Sequence, residues 1–296
     1  MSAALITRPL LLLGSMLLFL SSSMRAQDGH LFILGGGDRP ASLMTEFITL
    51  AGGPEHARIL VLPMASGVPD TTGMEQAESF RALGVRQVSW AMFDREQAER
   101  GDPLPLLEGV TGVFFSGGDQ SRLTAVVLHT PVHERLRALY RDGAVIGGTS
   151  AGAAVMSRIM ITGEERGESA SRSPFGTVRA ATVVTTEGLG FVTDLIIDQH
   201  FIARRRWARL LSVVLEHPSA VGVGIDEATA IIVGSGQGFR VAGAGTVVVI
   251  DARRAGEVSA DQHGNLGATG ITLHLLQNGD SFSLESGEAP VRGNRQ

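Results

Sequence analysis

The stretch Ala144-Val145-Ile146-Gly147-Gly148-Thr149-Ser150-Ala151-Gly152-Ala153 decides how the chain folds. Its first three residues are apolar and read as a buried strand, and a helix is expected from about Ala151. Between them lies Gly148-Thr149-Ser150-Ala151-Gly152, a G-x-S-x-G pentapeptide on a strand-to-helix turn, where that motif has mechanical meaning. Small neighbours let the chain turn sharply and lift the Ser150 hydroxyl into the open. The first N–H groups of a helix have no partner inside it, so that of Ala151 can face a developing oxyanion. An N-capping serine on a Gly-rich turn would give the same pentapeptide. The rest of the chain must therefore supply a base and an acid.

Outward from this turn the same rhythm continues. Toward the N-terminus, Leu31–Leu34, Arg58–Leu62, Val85–Trp90 and Val110–Phe115 read as strands. Ala41–Ala51, Met74–Leu83, Ser121–Leu128 and Val132–Arg141 read as helices. This alternation predicts an α/β fold, a largely parallel sheet sandwiched by helices. Toward the C-terminus, Thr162 to about Glu187 dissolves into Gly, Ser, Arg and Glu and reads as a long loop or flap. Order returns with a strand at Asp194–Ile197 and a helix at Ala203–Glu216, whose buried stripe would be Trp207, Leu210, Leu211 and Val214. Val221–Ile250 and Ile271–Leu276 read as C-terminal β-hairpins that extend the sheet. No repeat or linker interrupts residues 27–296, which are expected to form a single domain.

Composition excludes several chemistries. The chain has no Cys, which removes thiol nucleophiles, disulfides and Cys-ligated zinc. It also has no Lys: all 25 basic residues are Arg, so a Ser-Lys dyad, a Schiff-base lysine and a phosphate-loop lysine are absent. The net charge of −5 gives no general affinity for nucleic acid. At the N-terminus, Arg8 precedes the apolar run Leu10–Leu20, followed by three serines and Ala26, the pattern of a secretory signal over residues 1–26. The run is too short for a stable membrane span, which needs about 20 apolar residues. The mature protein is expected to be secreted or periplasmic, without a membrane anchor.

Among eight His, His200 is the candidate base, because it ends the apolar strand leading into Asp198-Gln199. The carboxyl edge of a parallel sheet is where functional groups collect in such folds. The orienting carboxylate is expected in Asp226-Glu227, which follows the strand at Val221–Ile225; the residues alone favour neither member of the pair. Arg204, Arg205, Arg206 and Arg209 crowd the start of the helix after His200. Cations there oppose the helix dipole, whereas forked guanidinium groups suit substrate carboxylates.

Taken in order, Leu34-Gly35-Gly36-Gly37, Phe114–Gln120, Gly147–Ala153, Glu187–Gly190, Asp198-Gln199-His200-Phe201 and Gly224–Glu227 resemble cyanophycinase and its relatives, serine peptidases with a class I glutamine-amidotransferase-like fold. The resemblance runs from Phe32 to about Ile250. It implies Ser150 as nucleophile, His200 as general base and Glu227, in preference to Asp226, as the orienting acid. It implies an oxyanion hole from the N–H groups of Gly118 and Ala151. Gln120, Asp198, Gln199, Arg204, Arg206 and Arg209 match positions that line the substrate pocket in that family. The substrate implied is a peptide or polymer of the cyanophycin type, cut to β-aspartyl-arginine; no metal or organic cofactor is implied, and a homodimer is allowed. Ile202-Ala203 is less polar than the family pattern, and Thr162–Ala181 matches none of it. Three other readings compete: an aspartyl dipeptidase of the same fold, an α/β-hydrolase-type esterase using Ser150, Asp226 and His263 or His274, and a non-catalytic exported binder of acidic polymers.

Overall fold

The structure, a computed structural model, describes residues 29–166, 176–234 and 238–290. The expected signal segment, residues 1–26, lies outside them. In chain order the elements begin β1 (His30–Leu34), α1 (Ala41–Leu50), β2 (Arg58–Leu62), α2 (Pro69–Ala82), β3 (Gln87–Trp90), α3 (Arg95–Arg100), β4 (Gly112–Phe115), α4 (Gln120–Val127), α5 (Pro131–Arg141), β5 (Val145–Thr149) and α6 (Ala151–Ala154). They continue with β6 (Ile159–Glu165), β7 (Val183–Glu187), β8 (Leu195–Gln199), α7 (Trp207–Glu216), β9 (Val221–Ile225), β10 (Thr229–Val233), β11 (Gly238–Gly243) and β12 (Val247–Asp251). The short strands β13 (Ser259–Ala260) and β14 (Leu266–Gly267), then β15 (Thr272–Leu276) and β16 (Ser281–Ser283), complete the set.

An eight-stranded sheet runs β16-β11-β10-β1-β5-β4-β2-β3. Its half from β1 to β3 is parallel, and β10, β11 and β16 add antiparallel strands at the other edge. The α/β class with C-terminal hairpins therefore holds, with one correction. The C-terminal strands do not all extend one sheet, because β9, β12 and β15 join β8 in a second, four-stranded sheet. The chain leaves that sheet after β9 and enters the first at β10, crossing through residues 226–228.

Side-chain alternation along β1 shows how the layers pack. Phe32 and Leu34 face one core with Met44, Phe47 and Phe80 of the helices α1 and α2. There Phe47 meets Phe32 and Phe114 edge-on, with ring centres 5.7 and 5.4 Å apart. Leu31 and Ile33 face the other core, shared with Leu123, Leu136 and the inner face of the second sheet, including Ile197, Val223 and Val249. The outer face of the second sheet, Ile196, Val248 and Ile250, is covered by Leu210, Val213 and Val214 of α7. Helices thus flank the first sheet as expected, except where the second sheet takes their place. Among the described residues no helix is long and apolar enough to cross a membrane.

Two local expectations are corrected. Thr162–Glu187 is not simply a loop, since β6 and β7 pair as an antiparallel hairpin. The helix expected from Ala203 begins at Trp207, because residues 201–205 form turns in which Arg205 has φ 53°. Trp207 is 39% exposed and Leu211 only half-buried, so the buried face of α7 is Arg209, Leu210 and Ser212–Leu215.

Candidate active site

Three consecutive carbonyls at the end of β1 organise the site. Leu34 O accepts the N–H of Ser150 at 3.0 Å, Gly35 O that of His200 at 2.7 Å, and Gly36 O that of Ala228, next to Glu227, at 2.9 Å. Each donor residue is held at positive φ: 55° for Ser150, 49° for His200 and 51° for Ala228. Such backbone costs about 1–3 kcal/mol per residue and persists only where its surroundings enforce it. One strand end thereby fixes the ends of β5 and β8 and the crossover after β9.

Ser150 sits between β5 and the single turn of α6, with ψ −110°. The turn is tight because the glycines allow close approach: a Cβ on Gly148 would lie 2.3 Å from Gly152 O, and one on Gly152 2.5 Å from Phe115 O. His200 Nε2 lies 2.9 Å from Ser150 Oγ, and its Nδ1 lies 2.6 Å from Glu227 Oε1. The His200 side chain is 8% exposed. Burial lowers its pKa below the ordinary value; the Glu227 hydrogen bond opposes this, and the charges of Arg204 and Arg206 add to it. The ring is therefore neutral at neutral pH and able to take a proton.

Asp226 lies beside Glu227 but points elsewhere, accepting the N–H groups of Ile202 and Ala203. The structure thus brings Glu227, and not Asp226, to His200. Ala151 is the first residue of α6. The Gly117-Gly118 turn after β4 flanks the serine, since a Cβ on Gly117 would lie 3.4 Å from Ser150 Cβ. The N–H groups of Ala151 and Gly118 accordingly come from two turns beside the hydroxyl. The Gly35-Gly36-Gly37 run contributes what the sequence alone did not reveal. A Cβ on Gly36 would lie 2.4 Å from His200 Cε1, and one on Gly37 2.7 Å from Glu227 Cβ. Three glycines directly after a strand were the available signal.

The residues expected to line the substrate pocket divide into three groups. Arg204 is exposed, close enough for its charge to act on His200. Arg206 is half-buried, and its Nη1 donates to Gln199 O at 2.7 Å and also to the Gln199 side chain. Its pKa is lowered to about 10, by burial first and by the neighbouring Arg209 charge second. Arg209 and Asp198 form a buried two-point ion pair, with Nε to Oδ2 at 2.9 Å and Nη2 to Oδ1. At 2% and 0% side-chain exposure neither opens to solvent, which corrects their expected placement lining a pocket. Gln120 is buried too; its Nε2 donates to Ile161 O and Thr162 O and anchors the β6–β7 hairpin. Among the described residues no group of three His, Asp or Glu side chains is gathered that could hold a metal.

The sequence matches the model of peptidase family S51 over residues 31–241. It is 37% identical to a cyanophycinase of Synechococcus elongatus over 278 residues, covering 90% of this chain and 84% of that protein. It is 35% identical to a cyanophycinase of Geminocystis herdmanii over 272 residues, covering 88% and 95%. A crystal structure of a peptidase from an acI-B1 actinobacterium shares the fold with a TM-score of 0.60 at 22% identity, covering 88% of this chain and 98% of that one. The fold and these matches define a serine-type peptidase of the cyanophycinase-like kind. The chain belongs to peptidase family S51.

That membership sets aside the esterase and the non-catalytic binder. The geometry agrees: Asp226 is engaged with backbone, His263 lies on an exposed turn beside Asp261, and His274 Nε2 is buried without a hydrogen-bond partner among the described residues.

Proposed function

We propose that the chain is an exported serine peptidase that hydrolyses aspartate-based peptide bonds, cyanophycin in the first instance, through a Ser150–His200–Glu227 acyl-enzyme mechanism. The observation that carries this reading is one imidazole set between a strained serine hydroxyl at 2.9 Å and a carboxylate at 2.6 Å. Neutral His200 takes the Ser150 proton as Oγ attacks the scissile carbonyl, and Glu227 stabilises the imidazolium. The N–H groups of Gly118 and Ala151 receive the oxyanion. His200 then protonates the leaving amine, and water repeats the cycle on the ester. No step calls on a metal or an organic cofactor.

The substrate half of the proposal is supported by the cyanophycinase names of the relatives and by the cationic approach to His200. Arg204 is placed to meet a substrate carboxylate directly, and Arg206 to do so from a half-buried position. Gln199 and Asp198 hold Arg206, Arg209 pairs with Asp198 beneath, and Gln120 holds the β6–β7 hairpin. The signal-like segment 1–26 supports export, with residues 27–296 as one mature domain. Export suits a polymer substrate too large to enter a cell.

The test is incubation of the mature protein with insoluble cyanophycin and, separately, with aspartyl dipeptides, followed by mass analysis. Release of β-aspartyl-arginine from the polymer is expected. Cleavage of dipeptides alone would turn the reading into an aspartyl dipeptidase of the same fold.

A further inference from the structure

The turn that carries Glu227 holds a second carboxylate, which the acyl-transfer steps leave idle. Asp226 Oδ1 accepts two backbone N–H groups from the turn that follows His200: that of Ala203 at 2.9 Å and that of Ile202 at 3.1 Å. Backbone hydrogen bonds hold both ends of this link. On its own side the Asp226 N–H donates to Thr246 O at 3.2 Å, Thr229 Oγ1 donates to Glu227 O at 3.0 Å, and the Ala228 N–H donates to Gly36 O. On the far side Phe201 is buried, but Ile202, Ala203, Arg204 and Arg205 are all exposed. The turn is held at its ends by Phe201, whose N–H donates to Ile225 O at 3.2 Å, and by the N–H groups of Arg204 and Arg206, which donate to His200 O and Phe201 O; between them the Asp226 carboxylate takes the N–H groups of Ile202 and Ala203.

We propose that Asp226 is a positioning residue for the catalytic pair. Its carboxylate clamps the turn after His200 to the turn that bears Glu227, and so fixes the spacing between imidazole and carboxylate. The inference rests on the Ser150–His200–Glu227 reading. The clamp acts through geometry and not through charge on the ring. The carboxylate in contact with the ring is that of Glu227, whereas Asp226 Oδ1 is turned to the backbone N–H groups of Ile202 and Ala203. A carboxylate oxygen suits the task because one atom can accept two N–H groups, and acceptance by an ionised group is stronger than by a neutral one.

The test compares Asp226→Asn, Asp226→Glu and Asp226→Ala on a neutral activated ester, which needs only the serine, its base and the oxyanion donors. Asp226→Asn keeps an oxygen in the same place and is expected to stay within about 3-fold of wild type in kcat. Asp226→Glu keeps the charge but moves the oxygen by one methylene, and Asp226→Ala removes it. Both are expected to lose about 10- to 100-fold in kcat with little change in KM, the scale set by a small misplacement of reacting groups. Both should also move the acid limb of the pH–rate profile to lower pH, because a loosened Glu227 contact raises the His200 pKa less. The Glu variant keeps the test open if the Ala variant fails to fold. The reverse order, with Glu tolerated and Asn not, would show a charge role and overturn the proposal. Lowered melting temperatures with unchanged kcat and pH limb in all three variants would overturn it too. Glu227→Gln, measured in parallel, isolates the underlying reading: wild-type turnover there would sink the triad itself, whatever Asp226 does.

Discussion

Gly36 stands face to face with the ring of His200: a methyl group on Gly36 would lie 2.4 Å from Cε1 and 2.5 Å from Nε2 of the imidazole. The backbone at Gly36 also has φ 110°, which side chains rarely tolerate. Gly36→Ala should therefore push the ring away from Ser150. A loss of at least about 100-fold in kcat/KM is expected in a protein that still melts cooperatively. Turnover of the neutral ester, set beside a thermal melt, checks this.

Ser150→Ala should abolish hydrolysis and leave the fold intact. Ser150→Gly should go further, because glycine accepts φ 55° without strain. A gain of about 1 kcal/mol over wild type in a urea titration is expected. Residual activity in either variant would remove Ser150 from the chemistry.

On the proposed mechanism the pH dependence follows from His200. Burial holds its folded pKa below the ordinary 6.5, so the neutral base persists through neutral pH and is lost only as pH falls through that lowered value. kcat/KM should accordingly be flat near neutrality and decline on the acid side below 6.5. Stability follows the same direction. The unfolded chain takes up the proton first, so the contribution is full above the unfolded pKa and disappears as pH falls through the folded one. His133, also lowered mainly by burial, adds to that acid-side loss. Melting temperature recorded against pH tests the sign.

The arginines should separate by function. Arg209→Met leaves the Asp198 carboxylate buried with its principal partner gone and should cost about 3–5 kcal/mol in denaturant unfolding. Arg204→Ala should change stability by no more than about 0.5 kcal/mol. It should still weaken acidic substrates about 10- to 150-fold, the worth of one charge-assisted hydrogen bond, and spare the neutral ester. Equal losses on both substrates would mean that Arg204 acts on His200 and not on the substrate.

The strands β1, β2 and β4 were legible because each is a short apolar run with Gly or Pro within two residues of its end, and Ser150 because its pentapeptide joins a strand to a helix. His200 was legible as the end of a buried strand. The hairpin β6–β7 was not: Gly163 and the alternating polar residues Thr162, Glu164 and Thr185 mask a pair held by backbone bonds and by Gln120, over 40 residues earlier in the chain. The start of α7 was misplaced because nothing local marks Arg205 as a left-handed residue. The burial of Arg209 was equally hidden, since its cause is Asp198 on another element. The choice between Asp226 and Glu227 depends on which way two adjacent side chains point across a crossover, and no periodicity reports that.

The crossover through residues 226–228 has a kinetic corollary. Ser150 follows β5 of the first sheet, while His200 follows β8 of the second and Glu227 lies in the crossover after β9. On the proposed mechanism neither sheet alone owns a catalyst. A chain emerging from synthesis or threading through a narrow pore would carry a serine with no base, and would stay inert until both sheets had seated on the glycines after β1. Hydrolytic power should then arrive last during refolding, in one step and after the far-ultraviolet signal has recovered. This is a form of latency that needs neither an inhibitor nor a pro-segment.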